Sequence, residues 1–240
     1  LCPESANIRH MSESLPINNI AKLLERVRLS AEKSQRAQSD IIVLAVSKTR
    51  SAKEIRAAYS ASFEHFGENY LQEALQKIES LEDLDILWHF IGPIQSNKTR
   101  AIAEHFQWVQ SVDRVKIARR LSGQRPSGLP PLNICLQVNI SGEESKSGVQ
   151  PQDISALAKA VDELPGLQLR GLMAIPAATS DEEQQRQVFA RLRHLFEELK
   201  SQHPQVDTLS MGMSGDMEAA ITEGATMVRI GTALFGPRGG

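Results

Sequence analysis

The sequence predicts a single closed (β/α)8 barrel of the α/β class with an extra N-terminal helix, and three observations lead there. Short, unbroken apolar runs alternate with amphipathic stretches eight times along the 240 residues, the pattern of parallel strands joined by helical crossovers. No second run of strands follows the alternation, so nothing in the pattern suggests a separate β domain. The length is close to the roughly 250 residues in which eight such units close on themselves.

Residues 17–34 set Ile20, Leu23, Leu24, Val27 and Ala31 at helical spacing, an amphipathic helix placed before the first strand. Residues 41–47, IIVLAVS, are β-branched, apolar or small without alternation, as in a strand covered on both faces. That strand ends at Lys48, and Ser51 is placed to cap a helix over 52–61. A second strand is predicted over 63–67, with Glu68 and Asn69 opening a helix that runs to about 81. Strand three is 87–92, followed by the polar loop 95–98 and a short helix over 99–105. Strand four is 108–112, with Asp113 as the cap of a helix reaching about 121.

The glycine- and proline-bearing stretch 123–131 is a loop, and strand five is 133–140. After a polar loop over 141–148 come a helix over 152–164, strand six at 167–175 and the longest helix, over 181–202. Strand seven is 208–211, its helix 214–223, strand eight 226–230, and a last turn occupies 232–235. Residues 1–10 show no periodicity and read as a tag or linker remnant before a start at Met11, leaving 11–240 as one domain.

Composition narrows the partners. A formal net charge of -2 provides no general attraction to nucleic acid or anionic membrane, and Lys98, Arg100 and Arg114 make only a weak basic cluster. Two cysteines do not make a disulfide framework, and Cys135 lies inside an apolar strand as a small hydrophobe. No apolar run reaches the roughly 18 residues of a membrane span. The expected compartment is the cytoplasm, and no metal site is expected.

In such a barrel all strands point their carboxyl ends to one face, where the chemistry collects. Lys48, Asn69, Ser214, Arg229, Gly231 and Thr232 all fall there. Lys48 is either a solvated loop lysine or a partly desolvated amine able to form a Schiff base. Ser214 either caps a helix or, with Gly231 and Thr232, donates to a phosphate in the turns after strands seven and eight, where barrels hold that anion. A phosphate site facing a strand-end lysine is the arrangement of a pyridoxal phosphate pocket. Arg229, between Val228 and Ile230, either donates to the ring nitrogen of that cofactor or joins a salt bridge inside the barrel. His89, between Trp88 and Phe90, is a hydrogen-bonded core histidine or a proton carrier.

Seven ordered segments carry a family resemblance: LAVSKT at 44–49, FGENY at 66–70, WHFIGPIQSNK at 88–98, VNISGEESKSG at 138–148, RGLMAIP at 170–176, LSMGMSGDMEAAI at 209–221 and VRIGTALFG at 228–236. From Met11 onward the chain resembles the YggS-type pyridoxal phosphate homeostasis proteins, whose fold is similar to the amino-terminal barrel of alanine racemase. The resemblance implies that Lys48 carries pyridoxal 5'-phosphate as an internal aldimine. It also implies that Ser214, Gly231 and Thr232 hold the phosphate, that Arg229 faces the ring nitrogen and that Asn69 lines the pocket.

Fold relatives that turn over amino acids carry a further, mostly β domain, which this chain is expected to lack. Neither Tyr59 nor Tyr70 is placed as a second proton carrier, and an arginine-paired ring is a weak electron sink. The expected function is therefore intracellular buffering and delivery of the cofactor to recipient apoenzymes by a monomer, with little or no turnover and no catalytic residue. The alternative is an amino-acid racemase or another pyridoxal phosphate enzyme using Lys48 as base, with His89 or Tyr70. Lys146, in the loop after strand five, is either a solvated residue or a second amine that receives the aldehyde during transfer.

Overall fold

A computed structural model describes residues 17–143 and 147–237. The expectations for residues 1–10, for the start at Met11 and for Lys146 lie outside the described residues. Eight parallel strands, β1 (Ile42–Val46), β2 (His65–Glu68), β3 (Leu87–Phe90), β4 (Trp108–Val112), β5 (Leu132–Gln137), β6 (Leu167–Met173), β7 (Thr208–Ser210) and β8 (Met227–Ile230), pair in sequence order. The sheet closes where β8 pairs with β1, Leu44 standing opposite Arg229.

Helix α1 (Ile17–Lys33) precedes this barrel, and α2 (Ala52–Ser60), α3 (Leu71–Ser80), α4 (Thr99–His105), α5 (Val115–Gln124), α6 (Ile154–Asp162), α7 (Glu182–Gln202), α8 (Met217–Thr222) and α9 (Thr232–Phe235) follow the strands in turn. The predicted fold class and the extra helix are both present. The buried stripe Leu23, Val27 and Ala31 belongs to the main core, and α1 lies against α8 and α9. Arg26 of α1 adds a fork onto Glu218, at 2.6 and 3.0 Å.

Helix starts show where local chemistry decided. Ser51 caps α2 in a complete capping box with Glu54, and Asp181 caps α7 through the N–H groups of Glu183 and Gln184. Three starts differ from expectation. Glu68 and Asn69 do not open a helix: the β2 ladder continues through Glu68, whose carbonyl accepts from Ile91, so α3 begins at Leu71. Asp113 turns its carboxylate to Arg114, and α5 starts two residues later. Ser214 does not cap α8, because its hydroxyl accepts from Ala233 N–H instead; the helix starts at Met217 behind Asp216.

Two apolar layers result. The larger one lies between the sheet and the helices and includes Phe66, Phe106, Ile134 and Phe189. Inside the barrel are two smaller groups, one of Leu44, Ile91 and Met227 with Ile42 and Val46, the other of Trp108, Cys135 and Met173. Burial pushes the Cys135 thiol up to about 12, so it stays a neutral space-filler, as its strand context predicted. A file of polar side chains runs through the same interior.

Candidate functional site

Ile42, Leu44 and Val46 face the barrel axis, and the two-residue period continues that face to Lys48 just past the strand. The lysine is partly buried. Both of its neighbours are held from behind, by groups on the outer side of the sheet. Ser47 donates its hydroxyl to Glu68 Oε1 at 2.7 Å, and its carbonyl accepts from Lys77 Nζ at 2.7 Å. Thr49, at φ 64, donates its N–H to Glu73. Lys77 closes the set by pairing with both Glu68 and Glu73.

Glu68 is fully buried and Lys77 nearly so, and burial raises the Glu68 carboxyl against the pull of Lys77. An ion pair buried this far contributes little net stability, yet removing one partner costs several kcal/mol. Its observable effect here is geometric, since it pins the backbone on both sides of Lys48.

Asn69 comes at the end of the adjacent strand, two residues beyond the Val46–Gly67 pair, as Lys48 does on β1. Its amide oxygen is buried without a hydrogen-bond partner among the described residues. The turn is tight: a Cβ on Gly92 would come within 2.1 Å of the Asn69 carbonyl oxygen, so only glycine lets the β3 end pass.

Ser214, Gly231 and Thr232 come together from the ends of β7 and β8, on the side of the mouth next to β1 rather than facing it, because β8 is the strand that pairs with β1. Ser214 Oγ accepts from Ala233 N–H at 3.3 Å, and its carbonyl accepts from Arg26 Nη2 at 3.2 Å, so α1 braces this loop. In the short α9, Ala233 N–H is taken by Ser214 and the N–H groups of Leu234 and Phe235 by Gly231 O, which leaves that of Thr232 without a partner among the described residues. Gly231 is in ordinary backbone space, and a Cβ there would meet nothing closer than Val46 O at 3.5 Å. The protein's own packing therefore does not demand glycine; the space beside it is open.

Arg229 is buried inside the barrel, 3% exposed. Its Nη1 donates to Ser210 O and Oγ at 2.8 and 2.9 Å, and Nη2 donates to Ala174 O at 2.7 Å. Burial lowers its pKa to about 10, which leaves it charged at neutral pH. Among the described residues no carboxylate pairs with it, so the salt-bridge reading is not what the barrel holds. Three of its five N–H groups are engaged, and Nε–H and one Nη2–H have no partner among the described residues.

His89 is fully buried, stacked on Trp108 at 5.1 Å and bonded to His65 and Gln110, both at 2.9 Å. Burial holds its pKa well below 6.5. It is a core histidine with both nitrogens engaged.

The residues that sequence reasoning missed are the supports: Glu68, Glu73 and Lys77 behind Lys48, and Ser210 and Gln110 beneath Arg229. Polar residues inside otherwise apolar strands were the available signal for Glu68, Gln110 and Ser210. Lys77, on an ordinary amphipathic helix, carried none.

Residues 19–239 match the family described as alanine racemase, N-terminal domain. A pyridoxal phosphate homeostasis protein of Pseudomonas aeruginosa is 63% identical over 220 residues, 92% of this chain and 94% of that protein. This chain belongs to the pyridoxal phosphate homeostasis protein family. The Escherichia coli K12 member of the family is 51% identical over 224 residues, 92% of this chain and 96% of its own length. Among solved structures, PipY of Synechococcus elongatus, with PLP bound, superposes with a TM-score of 0.76 at 40% identity, covering 89% of this chain and all of its own. The homeostasis proteins thus share the barrel with the alanine racemase family, as the resemblance implied.

Proposed function

We propose that this protein binds pyridoxal 5'-phosphate as a Schiff base on Lys48 and buffers and delivers it to recipient apoenzymes in the cytoplasm, as a single-domain monomer with little or no turnover. The observation that carries this reading is the gathering, at one barrel mouth, of a clamped lysine after β1 and a hydroxyl-lined turn after its neighbours β8 and β7, with a charged arginine buried in the barrel beneath. Bound there, the cofactor supplies an aldehyde that condenses reversibly with an amine and releases water.

The residues present fit that group. The Ser214 and Thr232 hydroxyls and the Thr232 N–H suit a phosphate, and the open space at Gly231 admits it. The two unspent N–H groups of Arg229 suit a ring nitrogen that is to stay unprotonated. The unpartnered Asn69 oxygen is a polar atom whose desolvation a ligand would offset. PipY, at 40% identity, carries PLP in its solved structure.

Storage rather than turnover is supported by the candidate proton carriers. Tyr59 packs in the outer core, Tyr70 is 57% exposed at the start of α3, and His89 is sealed inside the barrel. The Pseudomonas aeruginosa and Escherichia coli relatives are named for homeostasis of the cofactor, not for a reaction.

The test is borohydride reduction after loading, followed by peptide mapping. One adduct on the Lys48 peptide, absent in Lys48→Ala, is the expected result. Label spread over several lysines, or retained in the variant, would overturn the assignment. Racemisation of an amino acid at about 1 per second or faster, an ordinary enzyme rate, would overturn the storage role.

A further inference from the structure

Five polar side chains run in file through the barrel, from Arg229 to His65, and donor counting fixes the direction of every link. A guanidinium has only hydrogens to give. Ser210 Oγ therefore accepts from Arg229 and spends its single hydrogen on Gln110 Oε1, at 2.7 Å. That leaves the Gln110 amide nitrogen to donate to His89 Nδ1 at 2.9 Å and to Met227 Sδ at 3.1 Å. The opposite amide orientation would face oxygen against the sulfur and strand the Ser210 hydrogen. With Nδ1 accepting, neutral His89 carries its proton on Nε2 and gives it to His65 Nδ1 at 2.9 Å.

The surroundings enforce this state. His89 lies on one face of Trp108, and the Arg170 guanidinium lies 4.8 Å from the ring centroid of the same indole, itself paired with Asp207. Burial first, and the neighbouring His65 second, oppose a charged His89. Cys135, also inside, remains a thiol. Glu64, beside His65, is the acid that pulls the other way.

We propose that Ser210 and Gln110 are positioning residues for Arg229, and that the file down to His65 is a one-way hydrogen-bond chain that fixes which N–H groups the arginine offers the cofactor's ring nitrogen. Both Nη1 hydrogens are committed to Ser210, which holds the guanidinium in one orientation and leaves Nε–H and one Nη2–H to the ligand. The role in cofactor binding rests on the function proposed above; the direction of the chain does not.

Two experiments separate these parts. Long-range proton–nitrogen NMR of the histidine rings in the cofactor-free protein, at neutral pH, should show His89 and His65 both as neutral Nε2–H tautomers. Gln110→Glu, whose ionised carboxylate has no hydrogen to offer, should move the His89 proton to Nδ1, a change that loss of packing alone would not produce. A wild-type His89 protonated on Nδ1 would overturn the chain.

With pyridoxal phosphate added, Ser210→Ala should weaken binding roughly tenfold, the scale of one hydrogen bond to a charged group. It should also shift the visible absorption band of the loaded protein, while Ser210→Thr, which keeps the hydroxyl, restores both. A folded Ser210→Ala protein with unchanged band and affinity would overturn the positioning role. If wild-type protein takes up no cofactor, the functional reading and the cofactor half of this inference fail together, and the NMR result still decides the chain's direction.

Discussion

Lys77 shows how one side chain can matter without touching the ligand. It stands between Glu68 and Glu73 and reaches the carbonyl of Ser47, so it holds two carboxylates and the backbone before Lys48 at once. Lys77→Met removes the cation and leaves Glu68, fully buried, without its counter-charge. The expected cost is about 3–5 kcal/mol, read from urea unfolding of the cofactor-free protein. Adding Glu68→Met should recover much of it, because an apolar pair of similar volume replaces a buried ion pair at little net cost. A loss below about 1 kcal/mol for Lys77→Met would mean that the pair is not holding buried charge. Glu68 and Lys77 are nine residues apart on a strand and a helix, and nothing in their local sequence announces the contact.

At the scale of elements, the barrel places its site by where each strand stops and how the next helix starts. Directly after the lysine loop, Ser51 accepts from Glu54 N–H while Glu54 accepts from Ser51 N–H at 2.7 Å. Ser51→Ala should cost about 1 kcal/mol in denaturant unfolding, and an unchanged midpoint would show that tertiary packing alone sets the start of α2. This cap was legible because a capping box is local in sequence. The starts of α3, α5 and α8 were not, since each turns on a contact with a distant element or a competing side chain: the β2–β3 ladder at Glu68, Arg114 at Asp113, and Ala233 at Ser214.

For the molecule as a whole, the polar file makes stability sensitive to acid. Burial lowers the pKa of both His65 and His89 below 6.5 in the fold, while the unfolded chain protonates them near that value. Their contribution is therefore complete above pH 6.5 and is lost as pH falls toward their folded values. The slope is up to about 1.4 kcal/mol per pH unit for each histidine. Glu68, raised by burial, works in the opposite sense, so the comparison that isolates the effect is His89→Gln against wild type in urea at pH 7.5, 6.5 and 5.5. The variant should lose the steeper part of the dependence; identical profiles would remove His89 as its source.

The sequence by itself determined the barrel, the helix before it and the positions gathered at its mouth, because strand and helix periodicity and chain order are local properties and a closed parallel barrel has one face for all its strand ends. Lys48, Asn69, Ser214, Gly231 and Thr232 are legible there from chain order alone, while Arg229 lies within β8, buried in the barrel beneath them. Only the tertiary structure decided what each of them touches. Arg229 is bonded to Ser210 and Ala174 rather than to a carboxylate, His89 is bonded to Gln110 and His65, and Lys48 is braced through Lys77. The physical reason is that hydrogen-bond partners and desolvation depend on neighbours far away in the chain, which meet only when the sheet closes.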